Sequence, residues 1–182
     1  MRRQLRPFYP VDELRELYGK RYDHTPWSDH VRRVAHTAEI LRGMNPSSVA
    51  DLSCGDGAVL LGAGLACPLF FGDITPGWQF AGPLQETLFS CPPVDVFVLS
   101  ETLEHLEEPE NALAMIRGRA KRLLLSTPDG ELDDANPEHY WTWQRADLLP
   151  MLTDAGWTPD GEPELYTAGF PAYYAFQIWK CS

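Results

Sequence analysis

The 182-residue chain has no apolar run approaching 18 residues, which argues against a membrane-spanning helix. Its basic start, MRRQLRPFYP, lacks the apolar stretch of a secretory signal, so the expected compartment is the cytoplasm and no membrane partner is expected. Cysteine is scarce. Cys54, Cys67, Cys91 and Cys181 show no pair at metal-knuckle spacing, and four separate thiols are expected rather than a disulfide framework. Positive charge is also short, with 15 Lys and Arg against 26 Asp and Glu for a net charge of −11. That balance argues against a broad nucleic-acid footprint. Arg2, Arg3, Arg6, Lys20, Arg21, Arg32 and Arg33 concentrate what there is in the first third, where they read as solvated helix faces. Repeats, low-complexity tracts and linkers are missing too. With 44% hydrophobic residues, the chain suits one domain with its own core.

Residues 49–57, VADLSCGDG, are the most informative stretch present. A short apolar run enters an acidic, glycine-bearing turn, and a second apolar stretch, 58–65, follows. That order predicts strand, tight loop and helix. Gly55 and Gly57 are expected to leave the main chain open, so that a small molecule rests against the amides opening the helix. A dinucleotide fingerprint would place a third glycine at position 60, where Leu60 stands. Asp73 ends the next apolar run and either accepts hydrogen bonds from ribose hydroxyls or serves as a strand-end turn residue. Asp51 either caps its turn or holds a cationic amino group.

Helical spacing covers 11–23 and, from a cap at Ser28 or Asp29, about 29–41. Strands are expected at 49–52, 69–71, 94–100, 122–126, 164–166 and 173–179, with helices at 58–65, 111–119 and 145–155, the last stopped by Gly156. The proline- and glycine-rich segment 75–93 leaves little room for a full helix. The expectation is an α/β fold, a Rossmann-like and mainly parallel sheet with helices on both faces, shortened between its second and fourth strands. Residues 1–45 form a helical preface or lid, and 46–182 the core of a single domain.

The chain resembles the class I S-adenosylmethionine-dependent methyltransferases over almost its whole length. VADLSCGDG is similar to their first motif, V-x-D-x-G-C-G-x-G, with Ser53 at a glycine position. FFGDITP resembles G-x-D-x-S-P, VDVFVLSETLEHLEEPENAL and RLLLSTP resemble the fourth and fifth strands, and HYWTWQRADLLPMLTDAGW resembles the late helix ending in A-G-F. The resemblance implies S-adenosylmethionine as cofactor, with Gly55 and Gly57 at its methionine portion, Asp73 on its ribose, and Asp51, Ser53 and Ser100 also among the cofactor-binding residues. It places Ser100 and Glu101 between donor and acceptor. Pro83 falls where the adenine-contacting acid is expected, with Gln85 or Glu86 as substitutes, and the sheet is expected to be a strand short.

Glu101, Glu104 and His105 form E-x-x-E-H just after a strand. On one helical turn they would share a face and converge on Mg²⁺, Mn²⁺ or Zn²⁺. With His139 ahead of HYWTWQR, they resemble the metal-dependent small-RNA 3′-terminal 2′-O-methyltransferases, and the first half also resembles the ubiquinone-pathway O-methyltransferases. That likeness implies Glu101, Glu104, His105 and His139 as metal ligands. The open alternatives are a metal-free site with His105 and Glu101 as catalytic residues, or a loop fixed by His105. Tyr18, Tyr22, Trp27 and His30 form either a lid or helix-facing core, while Tyr140, Trp141 and Trp143 line either an acceptor pocket or the core. The expected function is methyl transfer to an oxygen or nitrogen of a small-molecule acceptor. An RNA 3′ end is the alternative acceptor, and a non-catalytic donor-binding protein the alternative class.

Overall fold

A computed structural model describes residues 2–20, 26, 28–130, 136–167 and 175–182. Its centre is a seven-stranded sheet, made of β2 (Val49–Asp51), β3 (Leu69–Asp73), β4 (Phe80–Ala81), β5 (Val94–Ser100), β6 (Ala120–Pro128), β8 (Glu164–Thr167) and β9 (Ala175–Cys181). The order is β4-β3-β2-β5-β6-β9-β8. The first five strands run parallel, and β9 pairs antiparallel with both β6 and β8. A separate two-stranded sheet joins β1 (Arg3–Gln4) to β7 (Trp141–Thr142).

β5 shows why the sheet is covered twice. Val96 and Val98 point into a cluster with Ala38 and Leu41 of α2 (Ser28–Gly43) and Val59, Leu60 and Ala63 of α3 (Ala58–Ala63). The alternate residues Phe97 and Leu99 pack on the other face. There they meet Leu84 of α4 (Leu84–Thr87), Leu113 and Ile116 of α5 (Pro109–Arg117), and Leu148 and Leu152 of α6 (Arg145–Asp154). Successive side chains of a strand alternate faces, so an unbroken apolar run marks a strand buried on both.

Several boundaries differ from the sequence expectation. The third core strand exists, so the sheet is not a strand short, but β4 has only two residues. Gly72 lets it approach, because a Cβ there would stand 2.7 Å from the Phe80 carbonyl oxygen. α1 (Val11–Leu17) stops at Tyr18, short of position 23. α5 starts at Pro109, where a missing N–H costs nothing in the first turn. Tyr22, Trp27, Arg21 and the start of the expected 173–179 strand lie outside the described residues. Among the described residues, no helix is long and apolar enough to cross a membrane.

Candidate active site

β2 and β5 are neighbours, yet β2 leads through α3 to β3 on one side while β5 leads through α5 to β6 on the other. Loops leaving their carboxyl ends diverge and open a crevice, the ligand position of open α/β sheets. Asp51, Asp73 and Ser100 are the last residues of β2, β3 and β5, so three of the expected cofactor residues share this edge.

Asp73 is buried. Its Oδ2 accepts the Gly55 N–H and its Oδ1 the Thr75 N–H, both at 2.8 Å. Each carboxylate oxygen keeps a further lone-pair site. Asp51 is also buried, and its Oδ1 accepts the Ser53 N–H at 3.1 Å. Burial pushes the Asp51 carboxyl up to about 7, with the nearby Asp73 adding to the effect and the Ser53 hydrogen bonds opposing it. Ser53 Oγ accepts from Thr102 Oγ1 at 2.9 Å, tying the first loop to the turn after β5.

Four amides of the loop, those of Cys54, Gly55, Gly57 and Ala58, are engaged within the protein. Cys54 N–H donates to the Gly72 carbonyl, Gly57 N–H to the Cys54 carbonyl, and Ala58 N–H to Asp56 Oδ1. Gly57 has a φ of 78°, and a Cβ on it would stand 3.0 Å from Trp78 Cη2 and 3.3 Å from Phe71 Cε1. Its missing side chain makes room for Trp78. The Cys54 thiol is pushed up chiefly by burial, with Asp51 and Asp73 adding, and it stays a protonated thiol at neutral pH.

Arg33 overturns its reading as a solvated charge. Its residue is only 2% exposed, inside the face that α2 turns to the sheet. Nη1 donates to Ser100 Oγ at 2.8 Å, Nη2 lies 3.0 Å from His30 Nδ1, and Cζ sits 5.2 Å from the Phe176 ring centroid. Nε is buried with no hydrogen-bond partner, and among the described residues no carboxylate stands within 4.0 Å of the guanidinium. A buried guanidinium facing neutral groups calls for an anion. The signal was present in the spacing, since Arg33, Thr37 and Leu41 recur every four residues and all are buried.

From Ser100 a chain of hydroxyls crosses to the other half of the crevice. Ser100 Oγ lies 3.0 Å from Ser126 Oγ, which donates to Glu101 Oε1 at 2.9 Å. Glu101 has a φ of 51°, a left-handed conformation that costs a non-glycine residue about 1 kcal/mol or more. The helical turn begins only afterwards, as a 3₁₀ segment at Leu103–His105. Glu101 therefore does not share a helical turn with Glu104 and His105, contrary to the sequence expectation.

Glu104, His105 and His139 do converge, with ligand atoms all within 4.8 Å of one another. Glu104 is 1% exposed, its Oε2 accepts from Thr127 Oγ1 at 3.0 Å, and its Oε1 is buried without a hydrogen-bond partner. Burial, then the charge of Glu101, pushes the Glu104 carboxyl well above the ordinary range, while His139 pulls it back. His105 Nδ1 lies 3.0 Å from the Glu138 carbonyl, which can only accept. Nδ1 therefore carries a proton, and in the neutral imidazole Nε2 is the lone-pair nitrogen. His139 Nε2 is 3.0 Å from Asn136 Nδ2 and 4.0 Å from Glu104 Oε1. The partnerless carboxylate oxygen and the His105 lone pair fit a divalent cation.

The preface reaches both halves. The Tyr18 carbonyl accepts from Thr75 Oγ1 at 2.9 Å, and Tyr18 Oη lies 3.3 Å from His105 Nδ1. Burial and the adjacent Glu138 raise the Tyr18 phenol far above its ordinary value. The fully buried Trp143 belongs to the core cluster. Tyr140 anchors the amino terminus: its carbonyl accepts from Leu5 N–H at 2.7 Å and its Oη from Tyr9 N–H at 3.0 Å.

Neither a protein-family model nor a curated protein sequence matches the chain. Solved structures do. One is the Burkholderia thailandensis 1,6-didemethyltoxoflavin-N1-methyltransferase, at TM-score 0.72 and 16% identity over 93% of this chain and 85% of that one. Another is the magnesium protoporphyrin IX methyltransferase of Synechocystis PCC 6803, at TM-score 0.64 and 17% identity over 93% and 92%. The small RNA methyltransferase HEN1 aligns at TM-score 0.66 and 18% identity over 89% of this chain and 26% of its own. With its seven-stranded order and its crevice at the β2/β5 edge, the chain has the fold of the class I S-adenosylmethionine-dependent methyltransferases.

Proposed function

We propose that the chain binds S-adenosylmethionine in this crevice and transfers its methyl group to an oxygen or nitrogen of a small-molecule acceptor. Asp73 carries the reading. It is a buried carboxylate at the end of the second core strand, held by two backbone amides and with lone pairs left for two ribose hydroxyls. The toxoflavin-precursor enzyme was solved with S-adenosylhomocysteine and 1,6-didemethyltoxoflavin, and the porphyrin enzyme with S-adenosylhomocysteine, which supports this donor and acceptor class.

The donor's remaining charges find opposite charges here. Asp51 faces its ammonium group, and Arg33 supplies the cation that its carboxylate needs. The acceptor atom attacks the methyl carbon in line with the sulfonium, the C–S bond breaks, and S-adenosylhomocysteine leaves as a neutral thioether. The acceptor's proton passes to Nε2 of the neutral His105 imidazole, whose Nδ1–H is given to the Glu138 carbonyl.

Calorimetry with S-adenosylhomocysteine tests the donor, and no binding would end the assignment. Arg33→Gln weakens this ligand about ten- to a hundred-fold, the loss of a charged hydrogen bond. The same variant leaves 5′-methylthioadenosine, which has no carboxylate, within about two-fold of wild type on the same principle. Equal losses would make Arg33 structural.

Asp51 gives a pH signature. With its carboxyl raised to about 7, it contributes stability that is present at low pH and lost as pH rises through 7. A bound ammonium favours the ionised form and releases the proton. Affinity for S-adenosylhomocysteine should therefore rise about ten-fold per unit toward pH 7 and then level off. Asp51→Asn should flatten that profile and remove the dependence of binding enthalpy on buffer.

One observation favours a second reading, a metal-dependent RNA 3′-terminal 2′-O-methyltransferase. Glu104 Oε1 is buried and partnerless inside the Glu104, His105 and His139 group, and the fold is similar to that of the small RNA enzyme. In this reading those three residues hold a divalent cation such as Mg²⁺ or Mn²⁺. Bound there, it would fix and polarise the terminal ribose hydroxyls.

A further inference from the structure

Only a two-residue strand and a four-residue helix separate Asp73 from β5, and the sequence between them turns back on the donor loop. Phe71 of β3 points to the side of the sheet that carries α2 and α3. The Trp78 indole lies flat on it, with ring centroids 5.2 Å apart and planes 13° from parallel. Its Cη2 fills the space beside Gly57, and its Nε1–H donates to the Gly55 carbonyl at 3.0 Å.

Gly55 is thus gripped twice by one loop. Asp73 holds its amide at 2.8 Å, and Trp78 holds its carbonyl. Gly55 has a φ of 55°, and a glycine leaves such a conformation readily unless held. α3 has six residues and begins only at Ala58, so the helix is too short to impose order on the turn before it. Packing explains the stack on Phe71. It does not require an N–H aimed at the carbonyl of the residue whose amide Asp73 holds.

We propose that Trp78 is a positioning residue for the donor, fixing the Gly55 residue whose amide Asp73 holds, ahead of a helix too short to order that turn. The inference rests on the donor reading above. Trp78 contributes no charge and does not enter the reaction. It keeps the turn between β2 and α3 in the shape that leaves the Asp73 oxygens directed at a ribose.

Trp78→Phe keeps an aromatic ring for Phe71 and removes the N–H. S-adenosylhomocysteine, the probe ligand, should bind about five- to ten-fold more weakly, on the scale of one lost hydrogen bond. Hydrogen exchange at the Gly55 amide should accelerate while exchange in β5 is unchanged. In the wild-type protein, adding the same ligand should shift the Trp78 indole N–H and Gly55 amide resonances together, a measurement independent of how the variant folds. Unchanged affinity in Trp78→Phe, or resonances that ignore the ligand, would overturn the proposal. So would a uniform rise in exchange with a lower melting temperature, which reduces Trp78 to packing. If the wild-type protein itself binds no S-adenosylhomocysteine, the donor reading falls and takes this inference with it, and no variant is needed to see that.

Discussion

Replacing Asp73 by alanine weakens S-adenosylhomocysteine binding by about 1–3 kcal/mol, roughly five- to 150-fold. The loss has two sources. The ribose hydroxyls lose a charged acceptor, and the Gly55 and Thr75 amides lose the carboxylate that orders their loops. Asp73→Asn separates them, because its single carbonyl oxygen can serve one amide but not both. It should fall between wild type and Asp73→Ala in calorimetry. Affinity equal to wild type in Asp73→Ala would remove the ribose role and leave the crevice without its strongest marker.

His105→Ala should lower turnover by about 10²–10⁴-fold, the span of a lost general acid–base group. Affinity for S-adenosylhomocysteine should stay within about two-fold of wild type, since His105 stands on the β5 side of the crevice and Asp73 on the β3 side. The readout is release of S-adenosylhomocysteine with an acceptor that wild-type protein methylates. Equal loss of binding and turnover would make His105 a loop support. The same assay separates the two chemical readings. If the cation reading holds, chelation and dialysis should abolish activity and Mn²⁺ should restore it, whereas full activity after chelation leaves His105 Nε2 as the base. Glu104→Gln sharpens the contrast, because it keeps the shape of a protonated side chain and removes the carboxylate that a cation would need.

The residues that were legible in the sequence are those where one local force dominates. β5 was read to its exact ends because an apolar strand buried on both faces leaves no other pattern for Val94–Ser100. Asp73 was visible because it closes the apolar run Leu69–Phe71. β4 was not, since two residues show no periodicity and depend on Gly72 admitting them. Glu101 was placed on a helical turn by spacing alone, and spacing is blind to a left-handed residue between strand and helix. Arg33 was misread because burial of a guanidinium is decided by what it faces across the fold, Ser100 and Phe176, both more than sixty residues away. The convergence of His139 with Glu104 and His105 followed from two loops leaving the same sheet edge, and the edge was predictable.

The pairing of Arg3 and Gln4 with Thr142 and Trp141 bears on how the protein is made. Tyr9 finds the Tyr140 hydroxyl 131 positions along the chain, and the loop they secure carries His139. Contacts of such long sequence separation form late, because loop-closure entropy opposes them until the intervening chain has condensed. Residues 3–9 emerge from the ribosome well before residues 140–142 and are among the last to find their partners. A nascent chain can therefore assemble the β2/β5 edge, with Arg33 against Ser100, well before His139 is brought into place.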